Sequence, residues 1–387
     1  MDTLKDVIKQ YFDDGFTYLE IVEMLRIRNG MTTTLPKLKY FFRKNGWKKR
    51  ALAAVRNAEE TVRQAVRDQL NGSSQGLGYR RIHRILTNNG IVCRREDVRK
   101  FILEFDREGV DLRRKRRLHR RKYVTRGPNY VWHVDGHDKL KPFGFSIHGC
   151  IDGYSRKIIW LEVGRTNKVP EVIGKYYLDA VSSYGCPRYL KVDDGTEHAL
   201  IEPFHISIRN LDTDEETALN SFSIITSPQN QRIEAYWSIL KRDKIGWWKR
   251  FFEDLTDLDL YAHDPVIVEC IRFCFMALIR KDLESIKNDW NVHIISKSKN
   301  RGPRGRPDTM YYLPHLFESQ SYSIDVEQEE LQDLYVASEF NIPDVSEEFK
   351  EFARITMTSN GYQSMPNNVS DALDLYIFLL QQIENHS

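Results

Sequence analysis

Tyr130-Val131-Trp132-His133-Val134-Asp135 opens a series of three short runs rich in β-branched and aromatic residues. Phe145-Ser146-Ile147-His148-Gly149-Cys150-Ile151 and Lys157-Ile158-Ile159-Trp160-Leu161-Glu162-Val163 follow it. Such runs read as strands, and Asp152-Gly153-Tyr154-Ser155 between the last two has the residues of a hairpin turn. A helix is expected from about Pro170 to Tyr184, with proline in the first turn, where its missing N–H is tolerated. Tyr189-Leu190-Lys191-Val192 reads as a further strand, ending at Asp193-Asp194-Gly195. Hairpin strands, a helix and another strand predict an α/β layered domain. Residues 228–245 and 265–283 read as helices, the second apolar enough to place Cys270 and Cys274 in the core.

Upstream of this region the pattern is helical and basic. Residues 3–46 read as three helices, with Thr17 and Thr34 as capping residues and Gly15 and Asn29-Gly30 as breaks. The third carries Leu38, Phe41 and Phe42 on one side and Lys37, Lys39, Arg43 and Lys44 on the other, the pattern of a helix-turn-helix recognition helix or of a small bundle with a basic face. A connecting helix from Leu52 to Leu70 leads to the linker Asn71-Gly72-Ser73-Ser74-Gln75-Gly76. A second helical pair follows: one helix begins Tyr79-Arg80-Arg81-Ile82, and Arg94-Arg95 open the next. Arg113 to Lys122 then holds eight Lys or Arg in ten residues, among them Arg114, Lys115 and Arg116, and reads as a phosphate-backbone contact, a nuclear-import signal or both. The expected organisation is a DNA-binding segment at 1–50, a connecting and second helix-turn-helix region with basic linker at 51–127, a core with C-terminal extension at 128–315, and an acidic helical tail at 316–387, with helical patterns near 325–338 and 369–383.

At 387 residues, 41% hydrophobic and 29% charged, the chain has ample material for a core and is neither disordered nor collagen-like. The formal net charge of +3 hides an asymmetry: residues 1–128 carry +16, whereas Leu316 onward carries −12. A polyanion-binding N-terminus and a tail that docks a partner or folds back on the basic region are expected from this, beside the plainer reading of solvated charged faces. No apolar run approaches the roughly 18 residues of a membrane span, no export signal opens the chain, and five cysteines make no disulfide framework, so an intracellular, non-secreted protein is expected.

Three carboxylates fall where such a domain would gather them: Asp135 on the first strand, Asp193 at the end of a later strand, and Glu234 in the helix after Pro228. Phosphodiester chemistry needs hard oxygen ligands for two Mg2+ ions, and acids on neighbouring elements meet that need. In the helix, Ile233, Trp237 and Leu240 form a buried stripe by spacing. Glu234, Ser238, Lys241 and Arg242 lie on the adjacent stripe, able to hold metal at one end and phosphate at the other. His133, Asp135 and His137 alternate and so share a strand face, which fits two histidines beside a Mg2+ carboxylate better than a zinc site. Trp247-Trp248-Lys249-Arg250 fits nucleic-acid stacking or core packing, and Arg301 to Pro307 a basic loop or plain linker.

Val131-Trp132-His133-Val134-Asp135-Gly136, Val192-Asp193-Asp194-Gly195-Thr196-Glu197 and Ser227-Pro228-Gln229-Asn230-Gln231-Arg232-Ile233-Glu234 resemble, in order, the three acidic motifs of the retroviral-integrase/DDE-transposase superfamily. Cys150 to Lys157 is similar to that family's second-strand hairpin, and Gly78-Tyr79-Arg80-Arg81-Ile82 to the helix-turn-helix ahead of the core in insertion-sequence transposases. As a whole the chain looks most like transposon-derived integrase-core proteins of eukaryotic genomes. The resemblance implies a ribonuclease-H-like core and a DDE strand transferase with Asp135, Asp193 and Glu234 as catalytic metal ligands for two Mg2+ (or Mn2+) ions. It also implies duplex DNA as partner and homo-oligomers. Lys37, Lys39, Arg43, Arg94, Arg95, Arg114, Lys115, Arg116, Lys241 and Arg242, read from helix spacing and the basic run, are the expected DNA contacts, and a nuclear location is expected. A domesticated DNA-binding or scaffold protein without recombinase activity is the alternative. Two departures stand out: Asp194 replaces the usual Asn, leaving it as a reserve ligand, and the 40 residues between Asp193 and Glu234 exceed the retroviral spacing. The implied insertion falls within Asn210 to Ser221.

Overall fold

Three runs that alternate across one sheet and bury both of its faces set the architecture. In the computed structural model β1 (Trp132–His137), β2 (Ser146–Asp152) and β3 (Ile158–Gly164) form an antiparallel meander. β4 (Leu190–Val192) joins β1 in parallel and β5 (Phe222–Ile224) joins β4. The sheet order is β3-β2-β1-β4-β5, a mixed α/β arrangement consistent with a ribonuclease-H-like core. The structure describes residues 4–47, 58–72, 74–114, 125–227, 229–296, 302–338, 342–362 and 364–386.

The hairpin between β2 and β3 is fixed by Asp152. Its buried carboxylate accepts from the backbone N–H of Asn129 (2.7 Å), Tyr154 (3.1 Å) and Ser155 (2.7 Å) and from the Ser155 hydroxyl (2.7 Å). Asp-Gly-Tyr-Ser is therefore a turn built around an acceptor, as Asp residues favour.

Helices cover both faces of the sheet. On one side α8 (Pro170–Tyr184) and α9 (Ile201–Asn210) bury Ile173, Tyr177, Phe204 and Ile208 against Trp132, Val134 and Trp160. On the other, α11 (Gln231–Leu240), α12 (Gly246–Asp257) and the long α13 (Pro265–Val292) bury Ile233, Trp248 and Phe275 against Ile147, Leu161 and Val163. Cys270 and Cys274 lie inside this cluster. Trp248 is core too, with its indole N–H on Asp282, while Trp247 stacks on Phe251. A π-helical turn, Lys241–Ile245, joins α11 to α12. Between Asp193 and Glu234 the chain also forms the short α10 (Glu215–Leu219), capped by Asp214.

Upstream, α1 (Leu4–Asp13), α2 (Tyr18–Asn29) and α3 (Leu35–Lys44) enclose Ile8, Phe16, Leu25, Leu38 and Phe42. Thr17 makes a full capping box with Glu20, whereas Thr34 stands at the start of α3 without a capping hydrogen bond. A second three-helix unit comprises α4 (Glu59–Leu70), α5 (Tyr79–Asn88) and α6 (Arg95–Phe105), with the short α7 (Arg107–Arg114) behind it.

Both units are bolted to the core. Arg84 of α5 donates to the carbonyls of Val292 (2.8 Å) and Asp289 (3.3 Å) at the end of α13, whose last C=O groups lack helical partners. Arg306 donates to Val292 and Gly15, Thr309 to Glu20. α14 (Pro307–Tyr312) is held by a buried pair, Lys157 Nζ to Asp308 Oδ1 at 2.5 Å.

The acidic C-terminal segment is built into the core. α15 (Gln328–Ala337) packs on α8 through Leu331, and α16 (Glu347–Ser359) and α17 (Val369–His386) pack on α13 through Phe349, Ala353, Leu375, Tyr376 and Leu379. Its charges stay outside while its apolar stripe is buried. α16 is a helix that the sequence patterns do not single out, and α13 runs nine residues beyond the expected end at 283.

Candidate active site

Period-two alternation puts His133, Asp135 and His137 on the face of β1 that meets α11. Each is claimed by a different partner there. His133 Nδ1 lies 2.7 Å from Asn230 Oδ1, and Asn230 Nδ2 donates to the Val134 carbonyl at 2.9 Å. Asn230, at the head of α11, thereby ties that helix to β1. Burial holds His133 down at about 3, so it is neutral and donates from Nδ1. The His137 ring lies 5.1 Å from that of Trp237, and burial lowers it to about 4.

Asp135 is 6% exposed, and Trp237 Nε1 donates to its Oδ2 at 2.8 Å. Burial pushes the Asp135 carboxyl well above the usual carboxylate range; the neighbouring Asp193 charge adds to the shift, and Glu234 contributes in the same direction. Glu234, half-buried in the first turn of α11, is itself raised by burial and by Asp193. Asp193 closes β4, with Oδ1 buried and without a hydrogen-bond partner, His198 Nδ1 standing 3.5 Å away. Asp194 is exposed.

Three elements thus bring three carboxylates into one electrostatic neighbourhood. Mutual repulsion and an orphaned buried oxygen are the features a hard dication would relieve, so the residues present fit such an ion. They do not form a ready-made cage: among the described residues no three His, Cys, Asp or Glu side chains are gathered closely enough to hold a metal ion.

Lys241 and Arg242 are exposed on the π-helical turn below Glu234, and Lys241 is near enough to His137 to disfavour its protonation. Lys37, Lys39 and Arg43 are exposed on α3, and Arg94 and Arg95 are exposed at the head of α6. The Arg114 side chain, Lys115, Arg116 and the rest of the basic run to Lys122 lie outside the described residues, as does Pro228. Trp237 and Asn230 are site residues that sequence reasoning missed. Trp237 reads as core by spacing, and only its indole N–H, a donor that seeks a partner when buried, signals more.

Residues 122–312 match the family model of the integrase core domain. The match supports assigning this segment to the retroviral-integrase/DDE superfamily. No curated protein matches the chain significantly. The integrase core so defined contains Asp135, Asp193 and Glu234 together with both hairpin strands and α11. Among the described residues no helix is long and apolar enough to cross a membrane.

Proposed function

We propose that the chain is a DNA strand transferase of the integrase/transposase type that cleaves and joins DNA ends with divalent metal ions. The observation that carries this reading is that the Asp193 carboxylate raises the pKa of both Asp135 and Glu234, the three acids coming from three separate elements of an integrase core. Asp135, Asp193 and Glu234 would together hold the two Mg2+ (or Mn2+) ions. When bound, such ions lower the pKa of water or of a DNA 3′-hydroxyl and stabilise the leaving oxygen.

The chain's own side chains orient the rest. Trp237 fixes the rotamer of Asp135, and Asn230 sets the start of α11 and with it Glu234. Lys241 and Arg242 would hold the DNA backbone beside the acids. Lys37, Lys39 and Arg43 on α3 would read or grip duplex DNA as a recognition helix does, and Arg94 and Arg95 would act similarly on α6. Arg114, Lys115 and Arg116 would neutralise further phosphates, and the same run would direct the chain to the nucleus. Joining paired ends calls for a homo-oligomer. A protein partner of the acidic tail would meet the outer faces of α15, α16 and α17, because the inner faces are committed to the core.

The test is Mg2+- or Mn2+-dependent cleavage and joining of a mixed pool of labelled duplex ends, intact chain against Glu234→Gln. Activity that disappears in the variant supports the reading. Tight, salt-sensitive binding with no turnover in the intact chain would overturn it and leave a DNA-binding scaffold.

A further inference from the structure

Behind the carboxylates, on the opposite face of the sheet, runs an unbroken polar chain through an apolar cluster. Trp160 Nε1 on β3 lies 3.1 Å from His148 Nδ1 on β2. His148 Nε2 lies 3.4 Å from His198 Nε2, in the turn that follows β4. His198 Nδ1 lies 3.2 Å from the Asp193 carbonyl and 3.5 Å from Asp193 Oδ1. Trp160, His148 and His198 are 4%, 0% and 3% exposed. The cross-strand neighbour of His148 on β1 is Gly136, which leaves no side chain opposite it.

One end of this chain sets the proton positions throughout. An indole N–H can only donate, so His148 Nδ1 must accept and its proton must sit on Nε2. His148 Nε2–H then donates to His198 Nε2, which must accept. That leaves the His198 proton on Nδ1, pointing at Asp193. Burial, with His198 alongside, holds His148 far below the ordinary imidazole range and so neutral, as the chain requires.

We infer that Trp160, His148 and His198 form a tautomer-locked hydrogen-bond relay that orients Asp193 from behind, as positioning residues of the carboxylate site. The terminal hydrogen bond goes to the Asp193 main-chain carbonyl, so the relay fixes the backbone that carries the carboxylate, and outer partners that position a ligand in this way raise its affinity for a cation. The inference rests on the proposed role of Asp193 as a metal ligand, but the relay itself can be read without any catalysis. Apolar side chains would fill the same space on that face, which is otherwise lined by Trp132, Val134 and Ile173. The two imidazoles in series there have a direction, and it ends on the Asp193 main-chain carbonyl.

Long-range proton–nitrogen NMR of the full chain with 15N-histidine reads the tautomers directly. The expected result is His148 protonated at Nε2 and His198 at Nδ1, with Trp160→Phe, which keeps an aromatic ring but lacks the N–H, mixing both. His198 protonated at Nε2, or no response to Trp160→Phe, overturns the relay. Binding of Mn2+ alone, followed by the spin-resonance signal of the free ion, gives the second readout. His198→Leu should weaken binding about tenfold or more, and His198→Asn, whose amide nitrogen stands near the place of Nδ1, should largely restore it. Equal binding by a folded His198→Leu overturns the positioning role, and the Asn variant and the tautomers decide if the Leu variant does not fold. An intact chain that binds no Mn2+ would defeat the metal-dependent reading of the site, while the tautomer pattern would still decide the relay.

Discussion

Trp237 Nε1 donates to Asp135 Oδ2 at 2.8 Å across the β1–α11 interface, and Gly149 makes the room for it. Gly149 is the cross-strand partner of Asp135, and a Cβ there would stand 2.8 Å from the Trp237 ring. The indole can reach over β2 to the acid only because that position has no side chain.

Gly149→Ala should therefore push Trp237 off Asp135. Overpacking of this kind costs about 1–3 kcal/mol. The expected outcome is a lower urea midpoint, with metal-supported cleavage reduced more than the loss of folded protein explains. Unchanged Trp237 fluorescence and activity would show that the ring accommodates the methyl.

Asp135 also gives a pH prediction. Its folded pKa is raised, first by burial and then by Asp193, above the unfolded carboxylate value of about 3.9. Its contribution to stability is full below that value and is lost as pH rises through the folded value. Asp135→Asn, which keeps an acceptor for Trp237, removes the buried charge. Without metal it should melt above the intact chain at pH 8, by about 2–4 °C per kcal/mol relieved, and the gap should close at pH 4. Mn2+ should raise the melting temperature of the intact chain only. A gap that persists at pH 4 would assign the effect to packing.

Asn230→Ala removes both links between the head of α11 and β1, the one to His133 and the one to the Val134 carbonyl. A buried polar group left unsatisfied costs about 1–3 kcal/mol. The expected outcome is destabilisation of that order in urea, with a higher metal concentration for half-maximal activity because Glu234 is no longer held. Stability loss with an unchanged metal requirement would confine Asn230 to a scaffolding role.

The two sets of basic residues should separate by experiment. Replacing Lys37, Lys39 and Arg43 with Ala should reduce the slope of log affinity against log salt by about 0.9 for each phosphate no longer neutralised, with the melting temperature unchanged. Arg84→Ala should do the reverse, because its guanidinium already holds the end of α13.

Deleting residues from Glu318 onward would remove α15, α16 and α17, exposing the surfaces of α13 and α8 on which Leu375, Tyr376, Leu379 and Leu331 are now fully buried. Each such side chain contributes about 1.5–3 kcal/mol. Circular dichroism should report loss of the folded core. A folded, soluble truncation with raised DNA affinity would instead mark the segment as an inhibitory arm.

β1 to β4, α8, the stripe of Ile233, Trp237 and Leu240, and the three acids were legible in the sequence because their signals are local: period-two and period-3.6 spacing, turn residues, and acids at strand ends and in a first helical turn. The three-residue β5 was too short to give such a signal. Asp193 could be placed at the end of β4 by the same means. The partners of those acids were not legible. Trp237 lies in the same helix as Glu234 yet serves Asp135 on β1, and His148, His198 and Trp160 are separated by up to 50 residues before they meet. The acidity of the tail was plain in its composition, whereas its burial on α13 depends on which apolar stripe finds which groove. Local periodicity fixes which face a side chain occupies, and so the sequence alone determined four of the five strands, most of the longer helices and the candidate acids. Only the tertiary structure decided which buried donors and charges face one another, because those energies act across space between residues far apart in the chain.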